Sequence, residues 1–236
     1  MKTVVITGAT RGIGYALTQK FLKGGYNVVG FYRSSDEIAN SLTKEGALMI
    51  KGDVSQYKDV ENLFSVCQKK FGGVDILINN AGVCLPQKFI LDVDEGEFDK
   101  VFNVNVKGVF NCTKQAISLM LTNNTGKIVN VSSIFGLVGG SCESVYSASK
   151  HAVLGFTKSV SMEVENSNID IFAVCLGLVE TEMNEHLSYK DKMDFLQEYC
   201  LKKWLTPSVV ADRIYKILQK NNLNGKIFKI GVGKIK

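Results

Sequence analysis

The feature that most constrains the fold is an alternation of short β-branched runs with longer amphipathic segments along the chain. This order is typical of βαβ units, in which parallel strands are connected by crossover helices. Each run is apolar, as expected of strands that are buried on both faces. The sequence therefore predicts an α/β fold: a Rossmann-type, doubly wound parallel sheet of about seven strands with helices on both faces.

The predicted elements follow from this pattern. The strands are KTVVIT, NVVGFY, ALMIKG, VDILIN, GKIVNVSS, IDIFAVCL and GKIFKIG. The helices lie near residues 13–23, 35–45, 56–71, 95–122 and 144–166, with a last one that begins after Thr206 as N-cap with Pro207 at the first helical position. No linker or repeat divides the chain, so we expect one NAD(P)-binding domain, 1–236. Residues 180–205 follow a strand end and are expected to form either a substrate lid within that domain or two surface helices.

Composition argues against several classes of protein. Hydrophobic residues make up 45% of the chain and charged residues 22%, which indicates a globular protein. The net charge of +5 is spread along the chain, so no nucleic-acid groove is expected. Neither a membrane span nor a secretory signal is recognisable, which favours the cytoplasm. The six cysteines are far apart and the two histidines lack ligand spacing, so we expect free thiols and no metal site.

The segment TGATRGIG follows the first predicted strand and opens the first predicted helix. In this context Gly8 permits a tight turn, Gly12 a close approach of backbone to a pyrophosphate, and Gly14 close packing of helix on strand. The free amides of the helix N-terminus would face the phosphates. A purely structural turn is the alternative, but the position favours dinucleotide binding. The candidate cofactor residues in this segment are Gly8, Thr10, Arg11, Gly12, Ile13 and Gly14.

The end of the second predicted strand bears on the choice of cofactor. An NAD site usually places an acidic side chain here, to bind the ribose 2′-hydroxyl. This chain has Tyr32 followed by Arg33, with Arg11 in the preceding loop. Guanidinium groups suit a 2′-phosphate because they donate two parallel hydrogen bonds to its oxygens. We therefore expect NADP(H) to be preferred; NAD(H) stays open because Asp36 could supply the acid.

Further motifs occur in a consistent order along the chain: GDVS, NNAG, NVNVKG, NVSS and YSASK. With TGATRGIG, they make the chain resemble the short-chain dehydrogenase/reductase family over nearly its whole length. The resemblance implies a catalytic tetrad of Asn105, Ser133, Tyr146 and Lys150. The resemblance indicates Ser133 and not Ser132 as the catalytic serine, because the family serine stands 13 residues before the tyrosine. It also implies cofactor contacts from Asp53, Val54, Asn80, Ala81, Gly82, Tyr146, Lys150, Val179 and Thr181, besides Arg33.

The chemistry of ketone reduction can be set out without the family. The cofactor supplies a hydride, and the protein must supply a proton to the developing alkoxide. A phenol has a pKa of about 10, which a nearby cation lowers by roughly 1–3 units. Lys150 lies four residues after Tyr146, on the same helix face, so we expect it to lower the pKa of Tyr146. The resemblance implies that Asn105 holds a water linking Lys150 to solvent and that Ser133 orients the substrate.

These features predict an NADP(H)-dependent oxidoreductase that interconverts a ketone and a secondary alcohol. The resemblance favours a 3-oxoacyl-thioester (acyl-carrier-protein) reductase of fatty acid biosynthesis, with the acyl carrier protein as candidate partner. It also implies a homodimer or homotetramer. A reductase of sugar, steroid or xenobiotic ketones is the alternative, and a non-catalytic NADP(H) sensor is disfavoured by the tetrad.

The chain departs from the family pattern at several positions. Leu176 replaces the usual proline after the sixth strand, and Phe172 replaces an asparagine within it. Asn124 and Ser167 stand where carrier-dependent relatives often have basic docking residues, and Lys127 is a candidate substitute. These departures leave the tetrad intact but bear on nicotinamide support and carrier docking.

Overall fold

The computed structural model describes residues 1–185, 187–199 and 203–233. In that part of the chain seven strands form one parallel sheet in the order β3-β2-β1-β4-β5-β6-β7. The predicted doubly wound α/β fold is therefore confirmed. The strands are β1 (Thr3–Thr7), β2 (Asn27–Tyr32), β3 (Leu48–Lys51), β4 (Ile76–Asn79), β5 (Gly126–Ser133), β6 (Ile169–Leu176) and β7 (Ile227–Ile230).

Helices cover both faces of the sheet because alternate strand residues point to opposite sides. Ile6 of β1 packs with Phe21 and Ile214 on one face, whereas its neighbour Val5 packs with Leu63 on the other. The first face carries α1, α2 and α8, and the second carries α3, α5 and α6. The helices are α1 (Gly12–Lys23), α2 (Asp36–Lys44), α3 (Tyr57–Phe71), α4 (Glu95–Phe102), α5 (Gly108–Asn123), α6 (Ser144–Glu163), α7 (Tyr189–Glu198) and α8 (Pro207–Leu218).

Successive strands are added to the sheet in one direction from β1 to β3 and in the opposite direction from β4 onward. β1 pairs with β2 on one side and with β4 on the other, so the connections run outward in both directions from this point. Open α/β sheets bind ligands in the crevice at the carboxyl ends of the strands beside such a switch point. The loops after β1 and β4 therefore form the start of a binding site.

The helical stretch predicted near 95–122 is confirmed, but it is not one regular α-helix. α4 and α5 are separated by a π-helical turn, Asn103–Lys107. A π-turn adds a residue to the helix and re-aims the side chains within it. Here it turns Asn105 into the protein, where the side chain is fully buried. Periodicity alone missed the turn because an extra residue in one turn changes the apolar pattern only slightly.

The departures at β6 have a structural explanation. Phe172 is buried in the core and packs edge-to-face on Phe228 of β7, with ring centroids 5.7 Å apart. Leu176 pairs with Ile230 as the last residue of β6, and the Gly177 amide still donates to the Ile230 carbonyl at 2.9 Å. Apolar side chains thus stand where the family has an amide and a turn-forming proline.

The segment 180–205 contains a short 3-10 turn, Glu182–Asn184, and helix α7. Its ends are held by a bridge between Val179 and Leu205. Residues 186 and 200–202 of the predicted lid, and with them the expected free thiol of Cys200, lie outside the described residues; the other five cysteines are free. The lid stays a prediction. Thr206 precedes α8 as expected, but its hydroxyl lies 3.0 Å from the Ser208 hydroxyl and does not cap the helix backbone.

Every helix within the described ranges is too short or too polar to cross a lipid bilayer.

Candidate active site

A cavity of about 550 Å³ lies at the carboxyl ends of the central strands, over the β1–β4 switch point. Its wall brings together candidate residues from seven separate parts of the sequence. Gly14 and Asn105 are not in this wall and act from behind it. The candidates that line the cavity are Gly8, Thr10, Arg11, Gly12, Ile13, Arg33, Asp53, Val54, Asn80, Ala81, Gly82, Ser133, Tyr146, Lys150, Val179 and Thr181.

The glycine loop, residues 7–14, is shaped by close backbone contacts. Gly8 and Gly12 have φ values of +67° and +46°, which L side chains rarely adopt. A Cβ at Gly14 would stand 1.9 Å from the Gly8 carbonyl oxygen, so α1 packs against this loop without room for a methyl group. The loop thus presents bare backbone to the cavity at the N-terminus of α1, an arrangement that fits a pyrophosphate.

Thr7 connects the glycine loop to the loop after β4. Its Oγ1 accepts hydrogen bonds from the Asn80 and Ala81 amides, both at 3.0 Å. The Asn80 side chain also donates a hydrogen bond to the Thr7 carbonyl, at 2.9 Å. Sequence reasoning omitted Thr7 from the site. The feature that could have identified Thr7 is its position as the last residue of β1, beside the loop after β4.

The end of the cavity beside β2 is basic. Arg11 and Arg33 both line it, and the Arg33 guanidinium lies 3.7 Å from the Asp53 carboxylate. Asp36, the alternative acid for a ribose, forms an ion pair with Lys51 at 2.7 Å and does not line the cavity. The hydrogen bond from Lys51 lowers the pKa of Asp36, and the Lys51 ammonium balances the charge of this carboxylate outside the site. This arrangement fits a phosphate-bearing ribose better than a bare one.

Tyr146 and Lys150 lie together on α6 above β5. The Lys150 ammonium is 5.6 Å from the Tyr146 ring centroid and donates to the Val131 carbonyl at 3.1 Å. Burial raises the pKa of Tyr146 above its usual range and lowers the pKa of Lys150 to about 8. The pKa of Tyr146 is thus raised and not lowered, because desolvation of the phenol is the largest influence on it. A lowering by Lys150 stays a prediction. At neutral pH the phenol is protonated and can donate.

The two serines at the end of β5 face opposite ways. Ser132 Oγ donates to the Lys150 carbonyl at 3.0 Å, inside the protein. Ser133 Oγ lies on the cavity side, where it accepts from the Phe135 amide at 3.2 Å and hydrogen-bonds Tyr146. The bond with Ser133 lowers the pKa of Tyr146, although burial has the larger and opposite effect. The geometry accords with the preference for Ser133 as the substrate-orienting residue.

Asn105 supports the site through its side chain. Its Oδ1 accepts from the Val83 amide at 2.8 Å, and its Nδ2 donates to the Val83 carbonyl at 2.9 Å and to Ser149 Oγ at 3.0 Å. Ser149 in turn donates to the Tyr146 carbonyl at 2.7 Å. Both amide hydrogens of Asn105 are thus engaged in joining the loop after β4 to the first turns of α6. A water held by Asn105 stays a prediction, and Ser149 is a supporting residue that sequence reasoning did not single out.

Beyond Tyr146 lies an aromatic wall formed by Phe135, Tyr146, Phe195 and Tyr199, of which the first three line the cavity. The Phe135 ring packs edge-to-face on the other three, with centroid distances of 6.3, 6.0 and 5.3 Å. Cys84 and Glu143 also line the cavity near Tyr146. None of these side chains except Tyr146 was predicted, because they come from separate loops that show no common motif.

A glycine loop suited to a dinucleotide, and a half-buried tyrosine beside a buried lysine at the same cavity, define a nucleotide-dependent oxidoreductase of the α/β class. The chain belongs to the short-chain dehydrogenase/reductase family: the family model described as short chain dehydrogenase matches residues 2–192.

Curated relatives and solved structures share both sequence and fold. The 3-oxoacyl-(acyl-carrier-protein) reductase FabG of Thermotoga maritima is 37% identical over 220 residues, which is 90% of this chain and 88% of the relative. The Staphylococcus aureus protein of that name is 32% identical over 219 residues, 90% of this chain and 89% of the relative. The structure titled ElxO with NADP bound has a TM-score of 0.87 at 30% identity, covering 97% of this chain and 96% of that one. Levodione reductase has a TM-score of 0.91 at 26% identity, covering 98% and 96%.

Proposed function

We propose that this protein is an NADP(H)-dependent reductase that converts the ketone of a 3-oxoacyl thioester into a secondary alcohol. The observation that carries the proposal is the protonated Tyr146 phenol beside Ser133 and Lys150, at a cavity whose other end holds Arg11 and Arg33. The curated relatives named as 3-oxoacyl reductases and the NADP-bound neighbour support the substrate class and the cofactor.

The residues of the chain divide the work between two ends of the cavity. Arg11 and Arg33 would hold the 2′-phosphate, and the glycine loop would hold the pyrophosphate. When bound, the cofactor supplies a hydride to the carbonyl carbon. Ser133 would donate a hydrogen bond to the substrate oxygen, and Tyr146 would pass its proton to that oxygen as charge develops. Lys150, held by the Val131 carbonyl, would stabilise the phenolate that remains.

Docking of a carrier protein needs contacts other than those expected from sequence. Lys127 donates to the carbonyls of Leu218 and Lys220 at 2.9 and 2.6 Å, so it binds the end of α8. Lys127 is thus not a free docking cation. The proposal is therefore made for the thioester, and the carrier protein is an additional hypothesis.

The decisive experiment follows loss of NADPH absorbance with acetoacetyl thioesters, free and carrier-linked. We expect turnover with the wild type, and a decrease of about 10²–10⁴-fold in kcat for Tyr146→Phe with NADPH affinity retained. Tyr189→Phe on α7 is the matched control, since Tyr189 is 80% exposed. Absence of turnover with every acyl thioester would contradict the substrate assignment, and full activity of Tyr146→Phe would contradict the catalytic role.

Assembly into a homodimer or homotetramer is part of the proposal. Large apolar side chains are exposed on α4, α5 and α6, the helices through which we expect the subunits to pack. Their exposed fractions are 43% for Phe98, 45% for Phe110, 53% for Leu121 and 74% for Met162. Sedimentation of the purified protein tests this: a monomer at micromolar concentration contradicts it.

A further inference from the structure

Glu143 is an acidic side chain of the cavity wall to which the proposed reduction gives no role. It is the residue immediately before α6, three positions ahead of Tyr146. The side chain is half-buried and lines the cavity. Within the described residues, burial is the only influence on its carboxyl group, with no hydrogen bond or ion pair to compensate. Such a group is unusual, because buried carboxyl groups are normally paired.

The surroundings of Glu143 offer aromatic rings and weak acids. Cys84 from the loop after β4, Tyr146 from α6 and Tyr199 after α7 all lie close enough for its charge to raise their pKa values. Burial raises the pKa of each of these three groups further, so all are neutral at pH 7. Lys150 is turned towards the Val131 carbonyl. Among the residues that the structure describes, no cation or hydrogen-bond donor is therefore paired with the carboxyl group where it lines the cavity.

A ligand in the cavity can provide the missing partner. A carboxylate that loses water on ligand binding needs a donor in return, since an unsatisfied buried acceptor costs roughly 1–3 kcal/mol or more if charged. A neutral or cationic donor on the substrate satisfies it, whereas a second carboxylate adds repulsion in a medium of low polarity. The aromatic wall would take the apolar remainder of the same ligand.

We propose that Glu143 is a specificity-determining residue: it accepts a hydrogen bond from a donor group of the substrate and rejects ketones that carry a carboxylate near the reacting carbonyl. The inference rests on the proposed reduction at Tyr146, but not on the identity of the thioester. It narrows the substrate class to ketones that present a hydroxyl, amide N–H or ammonium group on the side away from the nicotinamide.

The test uses three matched ketones with NADPH: ethyl 3-oxopentanoate, its 5-hydroxy derivative and its 5-carboxy derivative. For the wild type we expect kcat/KM to be about tenfold higher for the hydroxyl derivative than for the parent, and about tenfold lower for the carboxylate. In Glu143→Gln the penalty on the carboxylate should disappear, and in Glu143→Leu the preference for the hydroxyl as well. Glu163→Gln, at the exposed end of α6, removes the same charge from the same helix and should change neither ratio.

The pH dependence of these ratios separates Glu143 from the catalytic groups. Burial raises the pKa of Glu143 to about 7, so the penalty on the carboxylate should grow between pH 6 and pH 8 in the wild type and stay constant in Glu143→Gln. Titration of Lys150 affects all three ketones and cancels in the ratio. Retained NADPH affinity and a cooperative thermal unfolding transition show that the variants are folded.

Two failures can be told apart. If the wild type reduces the parent ketone but both Glu143 variants show the same kcat/KM ratios between the ketones as the wild type, the specificity role is overturned. The proposed reduction then stands. If the wild type reduces none of the three ketones or the acyl thioesters, the proposed reduction is wrong and the role of Glu143 falls with it.

Discussion

The glycine loop and the aromatic wall bound the same cavity, but different kinds of contact build them. In the glycine loop the backbone meets backbone: the Gly8 and Ala9 amides donate to the Phe31 carbonyl, at 2.8 and 3.2 Å, and Gly14 presses on Gly8. In the aromatic wall, rings from three separate segments meet at their edges. The first region leaves no room for a side chain, whereas the second consists of side chains.

This difference teaches how the two halves of the site respond to change. Backbone contacts at van der Waals distance are specific to one shape, so a single added methyl group disrupts them. Rings that touch at centroid distances of 5–6 Å can be replaced by other apolar groups at a modest cost. The cofactor end is therefore expected to be intolerant of substitution and the substrate end to be adjustable.

The strongest test of this comparison is Gly14→Ala. The new Cβ would overlap the Gly8 carbonyl oxygen at 1.9 Å, so the loop or α1 must move. We expect the free energy of unfolding, measured with urea, to fall by about 3 kcal/mol or more, with loss of NADPH binding. Gly155→Ala on α6 is the control: a Cβ there meets nothing within 4 Å, and the change should stabilise the helix by roughly 0.5–1 kcal/mol. Equal stability of the two variants would break the comparison.

Arg33→Ser tests a side chain at the cofactor end. Loss of one charge-assisted contact with the 2′-phosphate should weaken NADPH binding by roughly tenfold to a hundredfold and leave NADH binding nearly unchanged. Fluorescence titration with each cofactor measures the two affinities. Arg213→Ser, on the exposed side of α8, is the control for the loss of charge. If the variant binds NADPH and NADH more weakly by the same factor, Arg33 does not bind the 2′-phosphate.

Glu143→Gln should change the pH dependence of stability. Burial raises the pKa of Glu143 to about 7, above the roughly 4.3 of an unfolded glutamate. The unfolded chain therefore loses this proton first, and the cost of ionising the folded state appears as pH rises from about 4 to 7 and is complete above it. The variant avoids that cost, so it should be more stable than wild type by about 1–2 kcal/mol at pH 8, after allowance for solvent screening, and equal to it at pH 4.

Urea unfolding of wild type, Glu143→Gln and Glu163→Gln at the two pH values measures this effect. The same gain in stability at both pH values would show that burial of charge is not the cause.

The smallest effect is expected for Phe195→Ala in the aromatic wall. The change removes ring contacts to Phe135 and Tyr199, each worth about 0.5–1.5 kcal/mol. We expect KM to rise by about fivefold to tenfold for ketones with a bulky apolar group, with little change for ethyl 3-oxopentanoate or in NADPH affinity. Met193→Ala, exposed on α7, serves as the control. A loss of NADPH affinity as large as that of Gly14→Ala would contradict the division between the two ends.

Much of the fold was predictable because its causes are local. Strand and helix positions followed from apolar runs and helical spacing, and each predicted strand appears in the sheet. The π-turn at Asn103–Lys107 was missed, since it depends on the burial of Asn105 against Val83 and Ser149, which are distant in sequence. Likewise the pKa of Tyr146 depends on how deeply the fold buries the phenol, and spacing to Lys150 did not reveal this.

The sequence by itself predicted the strands of a doubly wound sheet, the glycine loop and the residues Ser133, Tyr146 and Lys150, because each rests on spacing within one or two adjacent elements. Only the tertiary structure decided which groups face Tyr146 across the cavity. Cys84, Phe135, Glu143 and Phe195 come together there from three separate segments. Their proximity depends on how the loops after β4, β5 and β6 converge at the sheet edge, and no local pattern encodes that convergence.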